Sequence, residues 1–170
     1  RGVAGLSVPH TPPIPISLLD LFDQLYAGRF FYMLHFQEPG VVEAEFAQDL
    51  RGALKKVYFA LSGAGPRDPL SSDLPRDTPI TDVLPEPPAG PLSFLSDDDL
   101  DVYVKAFEHS GTHGGFNRYR ALALEVETLG GLRGAGAAGA EAQLGGAAAA
   151  SAPKEWRALA ALARSLVDAA

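Results

Sequence analysis

Among the groups in this sequence that could bind, donate or take up charge are four histidines, five tyrosines and a set of carboxylates; cysteine is absent. That absence removes thiolate nucleophiles, disulfides and cysteine-bound zinc. His109 and His113 stand four apart, as two metal ligands on one helix would, but Ser110-Gly111 breaks that helix. His113-Gly114-Gly115 has the letters of a lipase oxyanion loop, which should follow a strand and precede a nucleophile elbow. Here it reads as a helix start after a turn. Asp97-Asp98-Asp99 lacks the alternation and closing glutamate of a calcium loop, and three acids suit a helix N-terminus better. Glu38 lies close to Tyr32 but has no visible partner to raise its pKa, so it reads as a helix end or a local pair. Tyr32 sits among Phe30, Phe31 and Phe36, and Tyr119 on the apolar face of a helix. A phenol in such a place is usually core with a satisfied hydroxyl, and local sequence alone leaves a catalytic reading open beside that one. Tyr26, Tyr58 and Tyr103 read as packing.

These side chains need elements to hold them. The formal charge of -7 and pI near 5.0 leave no basic stripe for a nucleic acid. No apolar run reaches the roughly 18 residues of a membrane helix. With Arg1 first and Met33 the only methionine, the sequence reads as a piece of a longer chain. Residues 3–8 (VAGLSV) predict one short buried strand, and the proline-broken HTPPIPIS predicts a loop. Ser17 caps an expected helix carrying Leu18, Leu21, Phe22 and Leu25, ended by Gly28. Residues 31–37 predict a short buried segment stopped by Glu38-Pro39-Gly40. Residues 42–61 predict one long helix with Phe46, Leu50, Leu54, Val57 and Leu61 on its apolar face. Glu43, Glu45, Asp49 and Arg51 lie elsewhere on that wheel, and Lys55-Lys56 suit its dipole. Residues 64–91 carry eight of the fourteen prolines and predict a long loop. Ser96 caps a helix with Leu100, Tyr103, Val104 and Phe107 as its stripe, and a further helix carries Phe116, Tyr119, Leu122, Ala123 and Val126. Residues 130–153 form a Gly/Ala tract with little to bury, expected to be disordered or weakly helical. Residues 154–170 hold a last amphipathic helix of no evident chemistry.

Five ordered blocks add a second kind of information: SVPHTP, FYMLHFQEPG followed by an acidic helix, LPEPP, SDDDLDVYVKAFEHSG and GGFNRYR. Together, over about residues 3–129, they make the chain resemble the lid region of soluble epoxide hydrolases. The resemblance implies a mainly α chain: the helical cap of an α/β-hydrolase fold, with at most one short N-terminal strand from the core sheet. Residues 1–14 would be that strand and linker, and 15–129 the lid. It also implies that an aspartate attacks an epoxide carbon, that a histidine-activated water hydrolyses the ester, and that two lid tyrosines hold the oxygen. The first tyrosine precedes FQEPG and corresponds to Tyr32. The second lies in N-x-Y-R and corresponds to Tyr119; Phe31, Met33 and Phe36 would line the substrate. Met33 and His35 stand where relatives often carry glutamine and tyrosine.

Such a pair makes chemical sense, because opening a three-membered ether charges its oxygen and two phenol donors stabilise that charge as it develops. A phenol with pKa near ~10 is also a better acid than the alcohol formed. No cofactor or metal is implied. The implied partners are a small epoxide and the rest of the hydrolase core, with no nucleic acid and no membrane span, in the cytoplasm. The sequence holds no G-x-D-x-G or G-x-S-x-G elbow, and the Gly/Ala tract replaces the strands that should carry the acid and histidine. The chain alone is therefore expected to be inactive. Two alternatives are a related lid-bearing hydrolase such as a dehalogenase, and a non-catalytic helical interaction module.

Overall fold

Apolar spacing in residues 18–25 drives the first helix, α1 (Leu18–Leu25), which buries Leu21 and Phe22. In the computed structural model, residues 17–124 other than 68 are described, and Leu19–Leu122 pack as one compact unit. The expected strand at 3–8, the Gly/Ala tract and the final helix lie outside the described residues. Gly28 ends the first turn with φ +73°, where a side chain would be strained, and lets the chain enter β1 (Arg29–Phe31). One helical turn follows, α2 (Tyr32–His35), with Leu34 buried and Phe36 at its C-terminus. The expected stop at Glu38-Pro39-Gly40 is present: Gly40 takes φ +88° and leads into α3 (Val41–Gln48).

The long helix expected over 42–61 is two helices. Asp49 leaves the helical region (φ -151°, ψ 82°) and caps α4 (Leu50–Ala60), its carboxylate accepting from Gly52 N at 2.9 Å. An aspartate side chain competes with the backbone for such donors, so it ends one helix and starts the next while the apolar pattern runs on unbroken. The close approach depends on Gly52: a Cβ there would stand 2.1 Å from Asp49 Oδ2. Glu45, expected away from the apolar side of the wheel, is buried.

The stretch expected to be a long loop contains β2 (Ser71–Pro75), antiparallel to β1, with Arg29 opposite Pro75, Phe31 opposite Ser71 and an irregularity between them. This two-stranded sheet is additional to the single N-terminal strand expected. A single helical turn, α5 (Ile80–Val83), follows, and Ile80 and Leu84 plug into the core. Lys55 and Lys56 reach this segment rather than the end of their own helix. Lys55 Nζ donates to Gly90 O at 2.6 Å and Lys56 Nζ to Thr81 O at 3.0 Å, and Lys56 also pairs with Glu86.

Ser96 caps α6 (Asp97–Ser110) as expected, accepting from Asp99 N at 3.1 Å. Arg51 of α4 bonds Asp97 at 3.0 Å and also pairs with Asp101. Of the expected stripe, Leu100 is buried and Val104 and Phe107 are half-buried. Tyr103 is 41% exposed, its ring tilted against that of Tyr58 at 5.1 Å. Gly111 ends α6 and His113 opens α7 (His113–Arg120), which buries Phe116. The core gathers Phe30, Phe36, Val42, Phe46, Ala53 and Phe116, among others, with Tyr32 and Tyr119 packed at its edge. Among the described residues, no helix is long and apolar enough to cross a membrane.

Candidate functional site

Tyr32 and Tyr119 come from opposite ends of the compact unit and meet. Their ring centroids are 5.6 Å apart at 81°, edge to face. The extended backbone at Phe31 (φ -144°, ψ 125°) turns into α2, which places Tyr32 at the first helical position. In α7, Phe116 is buried and Tyr119, one turn later on the same face, is half-buried. Phe36 lies under both phenols, 5.6 Å from Tyr32 and 5.1 Å from Tyr119, edge to face with each, and 4.8 Å from Phe116. Edge-to-face contacts of this kind fix ring orientation as well as burying area. Phe31 stacks on Tyr26 at 4.1 Å with 3° between the planes, and its ring is 4.9 Å from Tyr32. Met33 is half-buried in the same turn. All five expected site residues therefore fall within one aromatic neighbourhood or its adjoining turn.

A polar clamp that the sequence did not disclose surrounds this neighbourhood. Arg120 donates from Nη1 to Glu43 Oε1 at 2.7 Å and from Nη2 to Glu43 Oε2 at 3.0 Å, a two-pronged pairing. Its Nε donates to Phe36 O at 2.9 Å, and Nη2 reaches Glu38 O at 3.3 Å. Gln37 stitches in the opposite direction, its Nε2 donating to Met33 O at 2.7 Å and to Tyr119 O at 3.2 Å. Glu43 also accepts from Gly40 N at 2.9 Å. His113 Nδ1 donates to Glu43 Oε1 at 3.1 Å, and His113 Nε2 accepts from Asn117 Nδ2 at 2.8 Å. The Arg120 guanidinium, with His113 assisting, holds the Glu43 carboxyl down at about 2 against the opposing effect of partial burial. Glu43 in turn raises Arg120 above its ordinary value. His113 thus serves as a hydrogen-bonding helix start, and Glu38 contributes its backbone carbonyl at the turn.

A buried carboxylate also escaped the periodicity. Glu45 is 9% exposed and takes His35 Nε2 at 2.9 and 3.1 Å and Ile80 N at 2.9 Å. It joins α2, α3 and the start of α5, and its oxygens are satisfied as burial of a carboxylate requires. An open cleft of about 550 Å³ lies nearby, lined in part by Leu34, His35, Gln37, Val41 and Arg76. Its lining does not include Tyr32 or Tyr119, so the cleft and the phenol pair are separate features. The one available clue to the clamp was the position of Gln37 and Arg120 inside the two quoted blocks, FQEPG and NRYR. Glu43 gave no clue, because a glutamate in a first helical turn ordinarily faces solvent.

No family model matches the chain. The chain is 35% identical over 133 residues to Epoxide hydrolase A of Mycobacterium tuberculosis (strain ATCC 25618 / H37Rv), covering 78% of this chain and 41% of that protein. It is 36% identical over 128 residues to Epoxide hydrolase 1 of Siraitia grosvenorii, covering 75% and 38%. Among solved structures, Epoxide Hydrolase A from Mycobacterium thermoresistibile superposes with a TM-score of 0.65 at 32% identity, covering 75% of this chain and 40% of that one. The chain therefore spans about two fifths of the length of each of these three proteins.

Proposed function

We infer, since this chain belongs to the epoxide hydrolase family, that it supplies the oxygen-holding half of an epoxide-opening site. Its described part is mainly helical and corresponds to the helical lid of an α/β-hydrolase fold. In the reaction proposed, a carboxylate outside the residues described attacks an epoxide carbon. The carbon–oxygen bond breaks toward the oxygen, which takes up the electron pair. Tyr32 and Tyr119 donate hydrogen bonds to that oxygen, and one of them passes it a proton. Water then hydrolyses the ester, the tyrosine regains its proton, and a vicinal diol leaves. Phe36 backs both rings, Phe31 supports Tyr32, and Met33 offers apolar surface to the substrate. The remaining hydrolase core is the intramolecular partner of this lid.

The observation that carries the reading is the 5.6 Å edge-to-face meeting of the two phenols, on helices far apart in sequence. Phenylalanine keeps the ring and removes only the donor, so Tyr32→Phe and Tyr119→Phe isolate the proposed role. The test places residues 17–124 in the matching segment of the Mycobacterium tuberculosis relative and follows diol formation from a small epoxide. Each substitution is expected to lower kcat about 10²–10³-fold, the usual loss for one such donor. Unchanged turnover in both variants would remove the assignment.

A further inference from the structure

Helix α7 buries one side chain, Phe116, and the rest of the helix is half-buried or exposed. Apolar contact alone fixes such a helix loosely about and along its axis. The polar contacts that remain are reciprocal across the same boundary. Gln37, just after the turn bearing Tyr32, bonds the backbone carbonyl of Tyr119 itself, while Arg120, the next residue after Tyr119, bonds the carbonyls of Phe36 and Glu38. Glu43 closes the figure by taking both prongs of Arg120 and the Gly40 amide. The Arg120 side chain is 12% exposed and that of Glu43 18%, so these bonds are largely shielded from water. We propose that Gln37 and Arg120, the latter held by Glu43, are positioning residues that set the spacing and orientation of the Tyr32–Tyr119 pair. Neither need touch the substrate. This rests on the reading of the two tyrosines as the oxygen-holding donors, but the geometric part stands apart from it and is tested apart from it.

The protein carries its own control, because Tyr58 and Tyr103 form a second ring contact, at 5.1 Å between α4 and α6, and neither of those helices contributes a residue to the clamp. In the 170-residue chain with ¹³C-labelled tyrosine, nuclear Overhauser cross-peaks are expected for both pairs. Gln37→Leu keeps the bulk and removes the donors. Arg120→Lys keeps the charge and removes the planar fork that serves Glu43 and the two carbonyls together. Each variant is expected to lose or weaken the Tyr32–Tyr119 cross-peak at least about threefold while retaining the Tyr58–Tyr103 one. Both peaks retained would overturn the positioning role, and both lost would reduce the clamp to general stability and overturn it equally. In the active hybrid with the Mycobacterium tuberculosis relative, the same variants are expected to lower kcat about tenfold or more with KM changed less than about twofold. An unchanged kcat there, beside crippled Tyr→Phe variants, would remove the positioning role and leave the tyrosine reading standing. Unaffected Tyr→Phe variants would remove the tyrosine reading itself.

Discussion

Glu43 is the residue on which most of the polar architecture around the two phenols converges, and its carboxyl is held at about 2 against an ordinary value of 4.5. A carboxylate whose folded value is lower than its unfolded one contributes stability that is fully present above the unfolded value. That stability is lost as pH falls from about 4.5 toward 2. The shift corresponds to roughly 3 kcal/mol, and to less once residual solvent screening at an 18% exposed side chain is counted. Urea unfolding of the chain followed between pH 6 and pH 3 is therefore expected to show a loss of stability that the Glu43→Gln variant lacks. The substituted amide keeps a carbonyl acceptor and loses the charge, so parallel pH profiles for the two proteins would show that the Glu43 carboxyl is not depressed in the folded chain. The same residue marks a limit of reading sequence. Tyr32 and Tyr119 could be proposed as a pair because they sit in short, unusual blocks, and their rings do meet. The partner of Arg120, 77 positions earlier, was not legible, because a single sequence carries no signal linking two charges across that separation.

At the scale of elements, helices with strong local punctuation were legible and breaks inside an apolar pattern were not. Ser96 with its following acids, Gly28, Gly40 and Gly111 all act where their chemistry predicts. Asp49 does not announce itself, since Phe46, Leu50 and Leu54 keep helical spacing across it, and only the backbone reveals that it caps α4. The cap has a measurable consequence. Asp49→Ala removes the acceptor for Gly52 N and is expected to destabilise the unit by about 1 kcal/mol. For a domain near 100 residues that corresponds to a fall of roughly 4–8 °C in Tm. Asp49→Asn, which keeps a capping oxygen, is expected to recover most of it. A larger loss in the asparagine variant than in the alanine one would contradict the cap. The short strands were illegible for a related reason. β1 is three residues long, and β2 lies in a proline-rich stretch without alternation, so their pairing depends on tertiary contacts rather than on local pattern.

For the molecule as a whole, the proline-rich stretch decides whether the lid behaves as one cooperative body or as helices with a loose strap. Prolines suppress periodicity, so the sequence alone reads this stretch as a loop. Yet the chain is fastened through β2, through both lysines of α4, and above all through Ile80, which is 1% exposed within the Phe30–Val42–Phe46 core. Its own amide is bonded to the buried Glu45 carboxylate at 2.9 Å. A side chain so enclosed leaves a cavity when shortened, and Ile80→Ala is expected to cost about 2–5 kcal/mol of global stability. Because Glu45 also receives His35 from α2, the loss is expected to spread. Hydrogen exchange should accelerate by a similar factor at amides of α3 and α4 as at Ile80 itself. If the segment were only a strap over a finished core, exchange would quicken within residues 70–91 alone and the denaturation midpoint would scarcely move. That outcome would place the core boundary at α4 and leave Glu45 and His35 holding the strap rather than the fold.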